Sequence, residues 1–117
     1  MKSHVEHTLQ KNCVMWFRLQ YPKLRSLLFA VPNGGARSAV TGAILKAEGV
    51  LAGVADLLLL VPSREYHGLC IEMKTAKGRL SPQQREWAKA VTQQGYKYIV
   101  CRSFADFVEQ INGYLNS

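Results

Sequence analysis

Three charged residues interrupt two apolar stretches near the middle of the chain. Asp56 stands at the start of an apolar run that ends at Val61, and Glu72 and Lys74 lie in a second run that begins at Leu69. Charged side chains are rare in buried strands because their removal from water is costly. Two carboxylates with room for water suit Mg²⁺ or Mn²⁺, which polarises a phosphoryl group and activates water. The pattern therefore indicates a divalent-metal site, with Lys74 beside it to handle a proton or to stabilise developing negative charge.

Hydrophobic periodicity and turn residues predict eight elements in the order α-β-α-β-β-α-β-α. They are expected at residues 3–20, 27–31, 36–48, 55–61, 68–75, 81–94, 96–102 and 103–115. The second and third strands are expected to form an antiparallel hairpin, and the third and fourth a parallel crossover. The predicted fold class is thus α/β, a small mixed β-sheet flanked by helices. Alternation along the third strand places Glu72 and Lys74 on one face, where the hairpin brings Asp56 close to Glu72.

Two further polar residues, Gln84 and Glu6, align with apolar residues at helical spacing and so lie on inward helix faces. Both also fit a capping box, Ser81-x-x-Gln84 and Ser3-x-x-Glu6, in which the side chain returns to the backbone of the cap residue. The residue pattern leaves each of them evenly divided between a helix cap and a functional site.

Composition narrows the class of partner. The 117 residues carry 15 Lys and Arg against 8 Asp and Glu, a formal charge of +7 that favours nucleic acid first and an anionic membrane second. The apolar run after Asp56 is too short to span a bilayer. Cys13, Cys70 and Cys101 stand singly in apolar segments, which is typical of core residues in a reducing cytosol and argues against a zinc site. A chain of this length is expected to form one domain over residues 1–117.

A glycine turn that contains Asn33 and Arg37 leads into the second predicted helix. Backbone amides at a helix start and a guanidinium suit phosphate contact, although the same residues are also ordinary turn formers. Lys77, Arg79 and Arg85 would add diffuse phosphate attraction, although each taken singly is better explained as a solvated surface charge than as a specific contact. No base-reading element is visible, so we expect recognition of shape and phosphates.

The chain resembles the virus-type replication-repair nuclease (VRR-NUC) domain family of the PD-(D/E)XK nuclease superfamily. The resemblance spans nearly the whole chain and rests on the segments 33–35, 49–57, 71–74 and 79–87, which contain Asn-Gly-Gly, the Asp56 segment, Ile-Glu-Met-Lys and the Leu-Ser-x-x-Gln motif. One departure is Ala55, where the superfamily name expects proline. That proline shapes the start of the strand and takes no part in the chemistry.

The resemblance implies a restriction-endonuclease-like core and an endodeoxyribonuclease that uses Mg²⁺ or Mn²⁺. Asp56, Glu72 and the backbone carbonyl of Met73 would then bind metal, and Lys74 would be the catalytic lysine. Gln84 would support the active site, and Glu6 would be a helix-borne acid near the metal and a further candidate ligand.

Small stand-alone phage and bacterial members of this family are similar in length, and they resemble junction-resolving homodimers that act on branched DNA. The resemblance thus implies a cytoplasmic, nucleoid-bound homodimer with DNA as its partner. Two alternatives stay open. The first is a non-catalytic basic DNA-binding module of the same fold. The second is a structural protein whose acids form salt bridges, although buried salt bridges stabilise a protein little.

Overall fold

The computed structural model describes residues 3–32 and 38–116. Within them the predicted order of helices and strands is confirmed. The helices are α1 His4–Gln20, α2 Ala39–Ala47, α3 Pro82–Gln93 and α4 Phe104–Leu115, and the strands are β1 Leu28–Ala30, β2 Leu57–Leu59, β3 Leu69–Met73 and β4 Lys97–Cys101. A short 3₁₀ helix, Pro22–Leu27, joins α1 to β1 and was not expected.

The strands form one mixed sheet in the order β1-β2-β3-β4. β2 pairs antiparallel with β3, and β4 returns parallel to β3 after α3, as predicted. β2 also pairs antiparallel with β1, a pairing that was not predicted. β2 is shorter than the predicted strand, because its pairing with β3 runs only from Leu57 opposite Ile71 to Leu59 opposite Leu69. Asp56 consequently lies just before the strand, where its backbone carbonyl accepts a hydrogen bond from the Val31 amide at 2.9 Å.

One face of the sheet packs against α1 and α4 and forms the main core. Its buried residues are Cys13, Phe17, Leu28, Leu57, Leu59, Leu69, Ile71, Met73, Ile99, Cys101, Phe107, Ile111 and Tyr114. All five residues of β3 are buried, so burial does not alternate along this strand. This is the pattern of a central strand covered on both faces. Glu72 is therefore a carboxylate in the interior, with only 2% of its surface exposed.

The ends of the helices follow local sequence rules. The residue before each α-helix is a serine whose hydroxyl accepts a backbone hydrogen bond from the first turn: Ser3, Ser38, Ser81 and Ser103. Gly49 and Gly95 follow the ends of α2 and α3 with φ of 106° and 90°, the left-handed conformation that glycine adopts at little cost. Both helices end within one residue of the predicted bounds.

Helix α2 exposes apolar side chains to solvent, and none of its residues is buried. Val40 and Ile44, one turn apart, are 70% and 53% exposed, and Leu51 in the following loop is 57% exposed. In the part of the chain that the structure describes, no helix has the length and apolar character needed to cross a membrane.

Two phenylalanines of α4 provide a test of the core. Phe107 is fully buried and Phe104 is 43% exposed, yet both rings form T-shaped contacts with Trp16, at centroid distances of 6.1 Å and 6.4 Å. We expect Phe107→Ala to lower the free energy of unfolding by about 3–5 kcal/mol because it leaves a cavity. Phe104→Ala should cost only about 1 kcal/mol through the lost aromatic contact. Urea unfolding measures both, and equal losses would contradict this description of the core.

Candidate active site

Asp56 is held at the end of the sheet by a contact with the neighbouring strand. Its Oδ2 accepts a hydrogen bond from the Met73 amide at 2.7 Å, just beyond the last pair of the β2–β3 ladder. The amide and carbonyl of one strand residue point to the same side of the strand, so the Met73 carbonyl is also directed towards Asp56. A carboxylate and a backbone carbonyl therefore meet at one edge, next to Glu72.

The carboxylate of Glu72 receives a donor on each of its two oxygens. The Gln84 amide nitrogen donates to Oε2 at 3.1 Å, and the Tyr98 hydroxyl donates to Oε1 at 3.3 Å. The two donors belong to different elements, α3 and β4. Tyr98 pairs with Cys70 in the parallel ladder, so its side chain lies on the Glu72 face of the sheet.

Gln84 both caps a helix and contacts the acid. Its side-chain Oε1 accepts a hydrogen bond from the backbone amide of Ser81 at 2.8 Å, while the Ser81 hydroxyl accepts one from the backbone amide of Gln84 at 3.1 Å. This reciprocal pair is the capping box that the sequence predicts. The side-chain nitrogen that remains is the one that reaches Glu72. The two alternatives for Gln84 are thus compatible, because its amide group has an acceptor end and a donor end.

An open cleft of about 960 Å³ lies over these groups. Asp56, Glu72, Lys74, Gln84 and Glu6 all line it, so the structure brings together the five residues that the sequence nominates. Lys74 follows β3 and is half-buried.

Glu6 enters the cleft wall from the first turn of α1. Its Oε1 accepts a hydrogen bond from the Ser3 hydroxyl at 3.2 Å, and its backbone amide donates to the same hydroxyl at 3.1 Å. Glu6 therefore makes local contacts at the start of the helix and also borders the cleft.

The donor set of the cleft suits a hard divalent cation. Across residues 3–32 and 38–116, no group of three or more His, Cys, Asp or Glu side chains is arranged to hold a metal ion. Glu6 therefore does not combine with Asp56 and Glu72 into a three-acid group. Two carboxylates and the nearby Met73 carbonyl are oxygen donors of the type that Mg²⁺ takes while it keeps several waters. The residues fit such an ion with coordination positions left for water and phosphate.

Negative charge concentrates around Tyr98. The pKa of its hydroxyl lies well above the ordinary value, first because the group is buried and then because of the charge and hydrogen bond of Glu72 and the charge of Asp56. Glu72 and Asp56 therefore both act electrostatically on the Tyr98 hydroxyl.

The three cysteines are all buried. Burial raises the pKa of the Cys70 thiol to about 11 and that of Cys13 and Cys101 to about 12. All three are free and buried, as expected for core residues.

Three of the basic residues nominated for DNA contact lie on the surface outside the cleft lining. Lys77, Arg79 and Arg85 are exposed. Arg85 donates from Nη1 to the Leu80 carbonyl at 3.0 Å, which orients its side chain along the segment before α3. Asn33 and Arg37 lie outside the described residues.

The hydrogen bonds of two side chains, Tyr98 and Arg102, were not foreseen from the sequence. Tyr98 was predicted only as a strand residue. The signal available in the sequence was strand alternation, since the neighbour of Ile99 lies on the face of the sheet opposite the core. Arg102 was not singled out either. Its Nη1 donates to the carbonyls of Thr75 and Gly78, at 2.8 Å and 2.6 Å, and so anchors the loop between β3 and α3.

Gly53 shapes the wall of the cleft. Its φ is +93°, and a Cβ atom at this position would lie 2.5 Å from the backbone carbonyl oxygen of Gln83. Only glycine permits this conformation and this close approach without strain. The loop before β2 can therefore pack directly against the first turn of α3, beside Gln84.

Comparisons with known proteins agree with this architecture. The model of the VRR-NUC domain family matches residues 2–105. The chain is also similar to a solved structure described as a VRR_NUC domain protein, with a TM-score of 0.85 and 26% sequence identity over 99% of this chain and 92% of that chain. No curated protein matches the chain significantly.

The two contacts of Gln84 can be separated by substitution. Gln84→Ala removes both side-chain hydrogen bonds and should lower the free energy of unfolding by about 2 kcal/mol, at about 1 kcal/mol for each bond. Gln84→Glu keeps the acceptor for the Ser81 amide but places a second carboxylate against Glu72. Like charges raise the pKa of such a pair in the folded state above its unfolded value.

Below about pH 4 both carboxylates are protonated in the folded and in the unfolded state, so the free energy of unfolding of Gln84→Glu should approach that of the wild type. As the pH rises towards 7, the variant should become less stable than the wild type. Urea unfolding in EDTA at several pH values, with Gln84→Ala as the reference, measures this difference. A deficit that does not vary with pH would mean that Gln84 does not contact Glu72 in solution.

Proposed function

The chain belongs to the VRR-NUC domain family, and on this premise we propose that it is a DNA endonuclease that hydrolyses phosphodiester bonds with Mg²⁺ or Mn²⁺. The family has a nuclease-type fold, and its nuclease domains generally use divalent metals. The observation that carries the proposal is the convergence of Asp56 and Glu72 beside the Met73 backbone, in a cleft that Lys74 also lines.

Asp56, Glu72 and the Met73 carbonyl are the proposed ligands. A divalent cation held by them would polarise a phosphoryl oxygen and lower the pKa of a coordinated water. Gln84 keeps the Glu72 carboxylate turned towards the cleft, since its amide group is itself fixed by the Ser81 cap. Glu6, at the cleft wall, would act on the outer waters of the site.

Lys74 is the proposed catalytic lysine. From the cleft wall it can orient or deprotonate the attacking water, or offset the charge that develops on the phosphoryl oxygens. In the reaction the water oxygen forms a bond to phosphorus and the bond from phosphorus to one ester oxygen breaks. The proton lost by the water is balanced by the proton that the departing oxygen takes up, which leaves a phosphate monoester and a hydroxyl end.

DNA is the proposed substrate, with branched DNA preferred over linear duplex. The formal charge of +7 supports attraction to phosphates, and Asn33, Arg37, Lys77, Arg79 and Arg85 are the proposed contacts. The three buried free cysteines support the reducing cytoplasm as the place of action. Binding to the proposed DNA substrate would place the protein on the nucleoid.

A homodimer is proposed as the active form. Helix α2 supports it, because Val40 and Ile44 present apolar surface to water and no residue of this helix is buried. The helix carries Lys46 as its one charged residue, so it suits an apolar partner surface better than DNA. A second copy supplies such a surface, and twofold symmetry would place one site against each of two opposing strands.

Cleavage of labelled junction, flap, single-stranded and duplex DNA tests the metal site. We expect products with Mg²⁺ or Mn²⁺ and none in EDTA, and no turnover for Asp56→Asn or Glu72→Gln. Both substitutions can keep the local hydrogen bonds. The amide oxygen introduced by Asp56→Asn can accept from the Met73 amide, and the amide introduced by Glu72→Gln can donate to a Tyr98 hydroxyl that turns to accept. Fold and DNA binding should therefore survive.

Lys74→Ala should lose activity by about 10²-fold or more if the amine handles the proton. The matched control for Lys74→Ala is Lys23→Ala, which makes the same change of charge at an exposed site. The control for the acid variants is Glu86→Gln, at an exposed position of α3. Both controls should cut at the wild-type rate. Wild-type cleavage by either acid variant would disprove the metal site. DNA binding without any metal-dependent cleavage by the wild type would favour the non-catalytic DNA-binding module.

Light scattering with and without DNA tests the dimer. Ile44→Glu should give a monomer because it buries a charge in the proposed interface, whereas Leu19→Glu, at an 84% exposed position on α1, should leave the dimer intact. A monomeric wild type in both conditions would rule out the homodimer. If the wild type, Ile44→Glu and Leu19→Glu are all dimers, the dimer interface lies away from α2.

A further inference from the structure

The Tyr98 hydroxyl is the second donor on the most buried acid of the cleft. Glu72 is only 2% exposed, and its two oxygens are bonded from different directions, Oε2 by Gln84 and Oε1 by Tyr98. The terminal torsion of a glutamate is broad, so a single donor leaves the plane of the carboxylate free to turn. Two donors on separate elements define that plane.

Tyr98 is itself held in place by the sheet and by α3. Its backbone is fixed by the parallel pairing of β4 with β3, opposite Cys70. Its ring forms a T-shaped contact with the Trp87 ring at a centroid distance of 6.3 Å and an interplanar angle of 63°. The Tyr98 hydroxyl is therefore held rigidly against Glu72. A long flexible side chain in its place would lose more conformational entropy when it becomes ordered.

We propose that Tyr98 is a positioning residue for the metal ligand Glu72, which fixes the orientation of the carboxylate before the cation binds. This inference rests on the proposed metal-dependent function. Groups that hydrogen-bond to a ligand orient it and tune its affinity for metal. A carboxylate oxygen has two lone pairs, so acceptance of the Tyr98 hydrogen bond leaves it able to coordinate a cation.

The test compares Tyr98→Phe, which removes only the hydroxyl, with Tyr96→Phe. Tyr96 lies two residues earlier, and its ring packs against His67 at a centroid distance of 5.7 Å, away from Glu72. Calorimetric titration of the DNA-free protein with Mn²⁺ should show a Kd about 10-fold higher or more for Tyr98→Phe, and a wild-type Kd for Tyr96→Phe. Glu72→Gln serves as the reference for loss of a ligand.

Cleavage as a function of Mn²⁺ concentration separates positioning from general structural damage. For Tyr98→Phe the midpoint should move to higher Mn²⁺ while the rate at saturation returns close to the wild-type value, because every ligand is still present. A lowered maximal rate at an unchanged midpoint would overturn the positioning role.

The outcomes for Tyr98 and for the metal site are distinguishable. If the wild type binds Mn²⁺ and Glu72→Gln does not, a wild-type Kd for Tyr98→Phe overturns the inference about Tyr98 and leaves the metal site standing. If the wild type and Glu72→Gln give the same titration, the proposed metal site itself is overturned.

Discussion

The burial of the Glu72 carboxylate is the constraint on which the arrangement of the cleft depends. A charged group removed from water is tolerated only where polar partners replace its hydration. Here the partners are the Gln84 amide on α3 and the Tyr98 hydroxyl on β4, at 3.1 Å and 3.3 Å. The position of α3 over the sheet and the parallel return of β4 are both needed to supply them. The interior acid thus ties the topology of the sheet to the geometry of the site.

Gln84 and Gly53 extend this dependence to the ends of the elements. The Gln84 side chain closes the cap of α3 with one atom and contacts Glu72 with another, so the start of the helix and the orientation of the acid are set together. The backbone of Gly53 packs against that same first turn, where no side chain would fit. Asp56, three residues later, is then anchored to the Met73 amide. Stability and site geometry are consequently built from the same contacts.

Much of this arrangement was predictable because it depends on local chemistry. The serine caps of α1, α3 and α4, the glycines that follow α2 and α3, and the order of helices and strands follow from preferences that act over a few residues. The length of β2, the 3₁₀ helix Pro22–Leu27 and the uniform burial of β3 were not predictable in this way, since each depends on which segments cover the sheet. The Tyr98 contact was missed for the same reason, because its partner lies 26 residues away in the chain.

The sequence by itself determined which chemical groups are present and which local structures carry them: two acids, a lysine and a capped glutamine in a pattern that resembles VRR-NUC nucleases. Only the tertiary structure decided which atoms meet. The register of β2 against β3 brings Asp56 to Met73 across 17 residues, and the α3 crossover brings Gln84 to one oxygen of Glu72 and Tyr98 to the other. The physical reason is range, because caps and turns are set by neighbours in the chain, whereas hydrogen bonds between strands and helices require the whole core to be packed.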